Sequence, residues 1–242
     1  MIGIILAAGM GRRLMKDTGI DRSKALVEVG GKRLIDYALE NLHLMQVDKI
    51  YIVVGEHKND IVDAVGDRYR GIPIAYVIQS EPIGLINAIS KVLPFCDTGA
   101  VVQLSDEIFI NPNTDFISRY QNRTADFLCG IIKEKEPERI KENYAVIADK
   151  QGNLLSTREK PTEIVNDLKG TGFCIFSKDC MDILKSAYSD EKNMPCDLCD
   201  FMNLLIWEGK KGRCFEVADS EININTKADL DYAIALTEEQ KA

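Results

Sequence analysis

MIGIILAAGMGRRL, residues 1–14, joins an apolar run to two glycines and a pair of arginines. The run Ile2–Leu6 is short, continuous and rich in β-branched side chains, which predicts a buried strand rather than a helix. Gly9 and Gly11 follow where that strand must turn, and glycine there lets main-chain N–H groups face a ligand. Arg12 and Arg13 place guanidinium groups beside those amides, and oriented amides with cations make an anion site. The opening stretch therefore predicts a strand that ends in an anion-binding turn.

The rhythm continues outward from it. "KIYIVVG" (49–55), "IPIAYVIQ" (72–79) and "GAVVQLS" (99–105) read as strands. Between them "RLIDYALENLHLM" (33–45), "NDIVDAVGDRY" (59–69) and "GLINAISKVL" (84–93) carry apolar residues at helical spacing. Such alternation predicts an α/β fold with a mostly parallel sheet flanked by helices. After about residue 125 the pattern shifts. "ADFLCGIIK", "YAVIADKQGNLLSTREK" and "GTGFCIFS" are strand-like, with "DKQGN" as a hairpin turn. "CMDILKSAY" and "DLCDFMNLLIWEG" read as helices, and "RCFEV" and "EININ" as short strands. The closing "TKADLDYAIALTEEQ" (226–240) places Thr226 as an N-cap with Asp229 three residues on. No repeat or linker divides the chain, so one domain is expected, with halves at about 1–125 and 126–242.

Composition bounds the function. The chain has 242 residues, 45% hydrophobic and 28% charged, with a net charge of −8. That balance argues against broad binding to nucleic acid or an anionic membrane, so phosphate chemistry would need a local basic pocket. The apolar start lacks a basic leader region, and no apolar run reaches membrane-spanning length, which points to a cytoplasmic protein. Seven cysteines at irregular spacing then read as reduced thiols. "PCDLCD" contains C-x-x-C, yet no second Cys/His pair follows, so a helix entrance is the better reading than zinc. The glycine loop lacks the third glycine of a dinucleotide fingerprint, where Leu14 stands, and the Gly-Lys-Ser/Thr of an ATPase loop.

"LAAGMGRRL" followed by "SKALVEVGGKRLIDYAL" (23–39) resembles the triphosphate loop of the nucleotide-diphospho-sugar pyrophosphorylases, nucleotidyltransferases that activate sugar phosphates. The resemblance runs from Met1 to about Ala233 through an ordered set of segments. It implies a doubly wound, mixed, mostly parallel sheet of the GT-A-like type. Loop residues Leu6, Ala8, Gly9, Gly11 and Arg12 would wrap a nucleoside triphosphate, with Arg13 and Lys24 as its catalytic cations. "QSEPIGLINAI" resembles the base-reading segment, through Gln79 and Gly84. "VVQLSDEIF" resembles the strand end whose aspartate binds magnesium, here Asp106, with Ser105 where glycine is usual. "EININTKADLDYA" supplies the second metal ligand, Asn223, whose carbonyl oxygen suits a hard cation. On the acceptor side "TREKPTE" contributes Glu159 and Lys160. "ENYAVIADKQGNLL" contributes Tyr144 and Ala145, with alanine where the family has glycine, and "GTGFCIF" contributes Gly172.

The resemblance thus implies transfer of a nucleoside monophosphate to a sugar 1-phosphate with release of pyrophosphate and Mg²⁺ as cofactor. The partners would be the NTP and a small phosphorylated acceptor; homo-oligomer formation is left open. Gln79 carries both a donor and an acceptor, so its chemistry admits either pyrimidine, and the family pattern favours UTP or dTTP. Three alternatives stand beside this: a CTP-dependent enzyme for phosphocholine or a phosphonate, a catalytically silent nucleotide binder, and a glycosyltransferase. The last would call for Asp-x-Asp, where this chain has Asp106-Glu107.

Overall fold

All six residues of β1 (Ile2–Ala7) are buried, as a strand covered on both faces requires. Its side chains divide by parity: Ile2, Ile4 and Leu6 enter one apolar cluster, Ile5 and Ala7 another. The computed structural model describes residues 1–81, 83–113, 125–189 and 195–239. Pro82 of the base-reading segment and Gln240 of the expected last helix lie outside them.

The first half continues with α1 (Arg12–Thr18), β2 (Glu28–Val29), β3 (Lys32–Arg33), α2 (Leu34–Leu44), β4 (Lys49–Val54) and α3 (Lys58–Val65). It is completed by β5 (Arg68–Tyr69), β6 (Ile72–Ile78), α4 (Leu85–Ser90), β7 (Ala100–Leu104) and β8 (Glu107–Pro112). The second half holds β9 (Phe127–Lys133), α5 (Pro137–Glu142), β10 (Tyr144–Ala148), β11 (Leu154–Glu159) and β12 (Leu168–Phe176). It closes with α6 (Lys178–Tyr188), α7 (Leu198–Trp207), β13 (Gly212–Glu216), β14 (Ala218–Asn223) and α8 (Lys227–Glu239).

The main sheet runs β11-β10-β12-β7-β1-β4-β6-β5, with β9 and then β13 branching from β12. Its centre is parallel, β1 pairing with both β4 and β7. The second half adds antiparallel partners, β12 against β7 and β9, and the β10–β11 hairpin around the turn at 149–153. The expected mixed, mostly parallel sheet with flanking helices is what forms. Helices pack closely on it: a Cβ on Gly3 would stand 2.6 Å from Leu42 of α2.

Four local features depart from the sequence reading. The arginines after the glycines begin helix α1 rather than sitting in a loop, because Gly11 takes a left-handed conformation (φ 60°, ψ 24°) and caps it. The helix expected over 59–69 stops at Val65, where Gly66 with φ 79° ends it, and Arg68–Tyr69 pairs with β6 instead. The helix expected over 84–93 ends at Ser90, because the Pro94 ring excludes the carbonyl four residues earlier; a 3₁₀ turn follows over Leu93–Phe95. The strand read in "EININ" leaves the main sheet and pairs antiparallel with β8. This two-stranded piece has its own apolar cluster with α8, including Ile108, Ile110, Ile222 and Leu230. Thr226 and Asp229 do cap α8 reciprocally, each side chain accepting the other's backbone N–H at 3.2 and 2.7 Å.

Gly55, just past β4, is where sheet and glycine loop touch. A Cβ there would stand 2.8 Å from the Ala8 carbonyl oxygen, a backbone atom that cannot swing aside. Gly55→Ala is expected to displace the loop and lower stability by ~1–3 kcal/mol, the usual cost of overpacking. Urea denaturation checks it; an unchanged midpoint would mean the loop yields freely.

Candidate active site

The loop from Ala8 to Gly11 owes its path to one glycine and its openness to the other. Gly11 needs its positive φ, and a Cβ there would press on Lys24 Cβ at 3.0 Å; a Cβ on Gly9 would meet nothing within 4 Å. Lys24 opens a 3₁₀ turn, Lys24–Leu26, directly beneath the loop. Its ammonium is largely buried and ion-paired with Asp106, and Nζ also donates to Asn225 Oδ1 at 3.1 Å.

Asp106 lies just beyond β7, at the carboxyl edge of the parallel strands, where such sheets bind ligands. The β8–β14 pair brings Asn223 to it, because Asn223 stands in register with Glu107 and Ile224 N–H donates to the Asp106 carbonyl at 3.0 Å. Asn225 Nδ2 then donates to Asn223 Oδ1 at 2.9 Å. Lys24, Asp106, Asn223 and Asn225 are thereby one connected polar group. Asn225 escaped the sequence reading; its signal was the Asn-x-Asn spacing at 223 and 225.

Two cavities meet at this group. The first, about 220 Å³, is lined by Leu6, Ala8, Gly9, Lys24 and Asp106, with Gln79 and Gly84 at the α4 entrance. The second, about 540 Å³, is lined by Arg13, Lys160, Asn223 and Asn225, together with Arg139, Lys141 and Lys169. The Lys24–Asn225 bond links a residue of one lining to a residue of the other. The second cavity is the local concentration of cations that an acidic chain would need to hold phosphate.

Of the other predicted residues, Gly11, Arg12, Tyr144, Ala145, Glu159 and Gly172 line neither cavity. Arg12 is exposed and turned back on Met10, Nε to Sδ at 3.1 Å, so one arginine rather than two faces the site. The Tyr144 ring is buried, its hydroxyl donating to the Thr171 carbonyl at 2.7 Å, and Ala145 is buried beside it in β10. Gly172 is approached by the protein itself: its N–H donates to Glu107 Oε1 at 2.7 Å, and a Cβ would meet that oxygen at 2.9 Å. Glu159 ends β11, where burial and then Asp197 raise its carboxyl above the ordinary value, offset in part by Lys160. Lys160 has φ 41°, uncommon for a side-chain-bearing residue, and its N–H donates to the Asn143 carbonyl at 2.7 Å. At Gly84, φ is 115° and a Cβ would stand 2.9 Å from the Cys196 carbonyl oxygen, so glycine is required. Cys196 itself is exposed, whereas Cys199 is buried in α7 and burial pushes its thiol up, which disfavours thiolate chemistry.

Beneath the site lies a buried charge cluster that sequence reading missed. Lys169 Nζ stands 2.8 Å from Glu221 and 3.2 Å from Glu134, and its side chain is 3% exposed. Burial opposes its charge, but the two carboxylates outweigh that and raise its pKa. Glu107 is also buried, and burial followed by the Glu221 and Asp106 charges raises its carboxyl well above the ordinary range. Glu107 thus faces inward and cannot stand in for Asp106.

A metal would find hard oxygen donors here: one carboxylate, Asp106, and the side-chain carbonyls of Asn223 and Asn225. The Lys24 ammonium now neutralises that carboxylate. Among the described residues no group of three or more His, Cys, Asp or Glu is placed to hold a metal alone. One carboxylate with neutral oxygens suits Mg²⁺, which keeps waters and takes further ligands from phosphates.

Comparison with known proteins places the chain in a family. UTP–glucose-1-phosphate uridylyltransferase AglF of Haloferax volcanii is 28% identical over 233 residues, covering 96% of this chain and 95% of that one. Glucose-1-phosphate thymidylyltransferase of Streptomyces griseus is 30% identical over 179 residues, 73% of this chain and 49% of the relative. A UDP-glucose pyrophosphorylase solved with UDP-glucose superposes with a TM-score of 0.81 over 99% of this chain and 98% of the other; at 19% identity that likeness speaks to fold alone. The family model described as Nucleotidyl transferase matches residues 2–220, and the chain belongs to that family.

Proposed function

We propose that this nucleotidyltransferase joins UTP or dTTP to a sugar 1-phosphate, forming an NDP-sugar and pyrophosphate. The observation that carries the reading is the junction of the two cavities at Lys24, Asp106, Asn223 and Asn225. A nucleotide lying in the first cavity would direct its phosphates toward that junction, and an acceptor phosphate would enter through the cationic second one. The first half of the domain, to about residue 125, would hold nucleotide, and the second the acceptor. Both substrates are dissolved small molecules, consistent with work in the cytoplasm.

An oxygen of the acceptor phosphate attacks the α-phosphorus. The new P–O bond forms as the bond to the β-phosphate oxygen breaks, and pyrophosphate leaves with that electron pair. The nucleophile is already anionic at neutral pH, so no general base is needed. Repulsion between two polyanions and the entropy of aligning them oppose the step. Positioning and counter-charge are the terms a protein can supply. In this reading Arg13 and Lys24 hold the triphosphate and Lys160 holds the acceptor phosphate. Mg²⁺, held by Asp106 and Asn223 with Asn225 adjacent, would add a hard divalent charge at the phosphates.

A screen for pyrophosphate release, crossing all nucleoside triphosphates with hexose 1-phosphates, phosphocholine and aminoethylphosphonate, is expected to respond to UTP or dTTP with a hexose 1-phosphate. Silence from every pairing with magnesium present would overturn the reading and favour a nucleotide sensor. Arg13→Ala and Lys24→Ala are expected to cut turnover ~10²–10³-fold in folded protein, the scale of losing one group aimed at developing charge. Near-normal turnover in Arg13→Ala would remove that residue from the phosphate site. Asp106→Asn is expected to abolish the magnesium response, because a neutral ligand replaces the only carboxylate of the set; titration of activity with Mg²⁺ checks this.

A further inference from the structure

The second cavity holds more positive charge than one acceptor phosphate needs. In the proposed reaction Lys160 answers that phosphate and Arg13 the triphosphate, while Lys169 is committed to Glu134 and Glu221. Arg139 and Lys141 of α5 line the same cavity with no anion assigned to them. Arg139 is held in place before any ligand arrives. Its Nε donates to Glu136 Oε2 at 3.2 Å, and its guanidinium lies over the Tyr232 ring of α8, 5.5 Å from the centroid. Among the described residues its two terminal nitrogens donate to no acceptor. Asn143 ties this arginine to Lys160. Its Nδ2 donates to the Arg139 carbonyl at 2.9 Å, and its own carbonyl accepts from Lys160 N–H at 2.7 Å. The backbones carrying the two cations thus share one frame, and one of those cations has its N–H fork unused.

We infer that the acceptor is a sugar 1-phosphate bearing a second anionic group, a carboxylate, which Arg139 grips while Lys160 takes the phosphate. The inference rests on the nucleotidyltransferase reading and names the substrate class of its second cavity. A guanidinium fixed at Nε and laid on an aromatic face keeps its terminal fork aimed, so little freedom is lost on binding. A planar carboxylate matches that fork with two parallel hydrogen bonds. The Arg139–Glu136 pair is exposed to solvent and screened, so it orients the guanidinium without cancelling its charge. Lys141, paired with the exposed Glu138, adds positive charge on the same helix. Glu142 and Asp229 of the same lining repel each further negative charge, which favours a singly charged carboxylate over a second phosphate. A neutral sugar 1-phosphate would leave the fork to water.

Initial rates of the full chain, with magnesium and saturating UTP or dTTP, give KM and kcat for three acceptors: glucose 1-phosphate, glucuronic acid 1-phosphate and glucose 1,6-bisphosphate. The wild type is expected to show its lowest KM for glucuronic acid 1-phosphate, about tenfold below that for glucose 1-phosphate, the scale of a charge-assisted hydrogen bond. Arg139→Gln should close that gap through the KM of the uronic acid, with kcat changing less. Arg139→Lys, which keeps the charge and loses the fork, should reopen part of it. Lys160→Gln should raise KM for both acceptors alike. Equal KM values for the two in the wild type would overturn the inference and leave the nucleotidyltransferase reading standing. A gap that survives Arg139→Gln, with KM rising equally for both, would put Arg139 at the shared phosphate and overturn it too. A lowest KM for the bisphosphate would overturn the carboxylate. No turnover with any of the three would instead defeat the sugar 1-phosphate reading, and the inference with it.

Discussion

The site depends on one ammonium group. Lys24 joins three segments remote in sequence: the turn beneath the glycine loop, the end of β7 at Asp106, and the chain after β14 at Asn225. A largely buried carboxylate with no partner would be costly, and an unpaired lysine equally so; together they satisfy each other. Every incoming charge must therefore negotiate with a pair already in balance. A cation arriving at Asp106 frees Lys24, and an anion arriving at Lys24 frees Asp106. In the proposed reaction metal and triphosphate arrive as complementary charges, so the exchange leaves neither protein group stranded.

The ground below is built on the same economy of charge. Glu134, Lys169 and Glu221 lie on three different strands or their ends, with Glu107 reaching Gly172 alongside. These groups are dry, and removing one partner of a buried pair leaves the other exposed to the full desolvation cost. Strands β8, β9, β12 and β14 are thus tied under the second cavity by polar contacts, and β8 and β14 also by the apolar cluster around Ile108 and Ile222. Lys169 lines the second cavity, yet it is already committed to two carboxylates, which separates it from Arg13 and Lys160 on the same walls.

Much of this could be read from the residues. The apolar runs at 2–6, 50–54 and 100–102 became the parallel centre of the sheet, because a doubly covered strand has few other ways to satisfy such a pattern. Helix ends were less readable, since a single residue decides them, as Gly66 and Pro94 do. Among site residues, Lys24, Asp106, Asn223 and Lys160 do gather at the two cavities. What stayed hidden was pairing. Asn225 meets Lys24 across 201 residues, and Asn87 meets Tyr188 across 101; nothing local in either neighbourhood announces the other. Arg12 and Arg13 are identical in type and adjacent, and only the start of α1 at Gly11 decides which of them faces inward.

The two-stranded β8–β14 piece carries a consequence for how the molecule comes together. Asp106 follows the seventh strand and Asn223 ends the fourteenth, so their meeting closes a loop of more than a hundred residues. Contacts of such separation are entropically more expensive than those within helices and hairpins, which can form first. During synthesis the glycine loop and β7 emerge before Asn223 and Asn225 are made. Lys24 then has Asp106 but lacks Asn225, and the cavity lacks a wall. Competence of the site is thereby timed to the end of the chain's folding rather than to the appearance of its glycine motif.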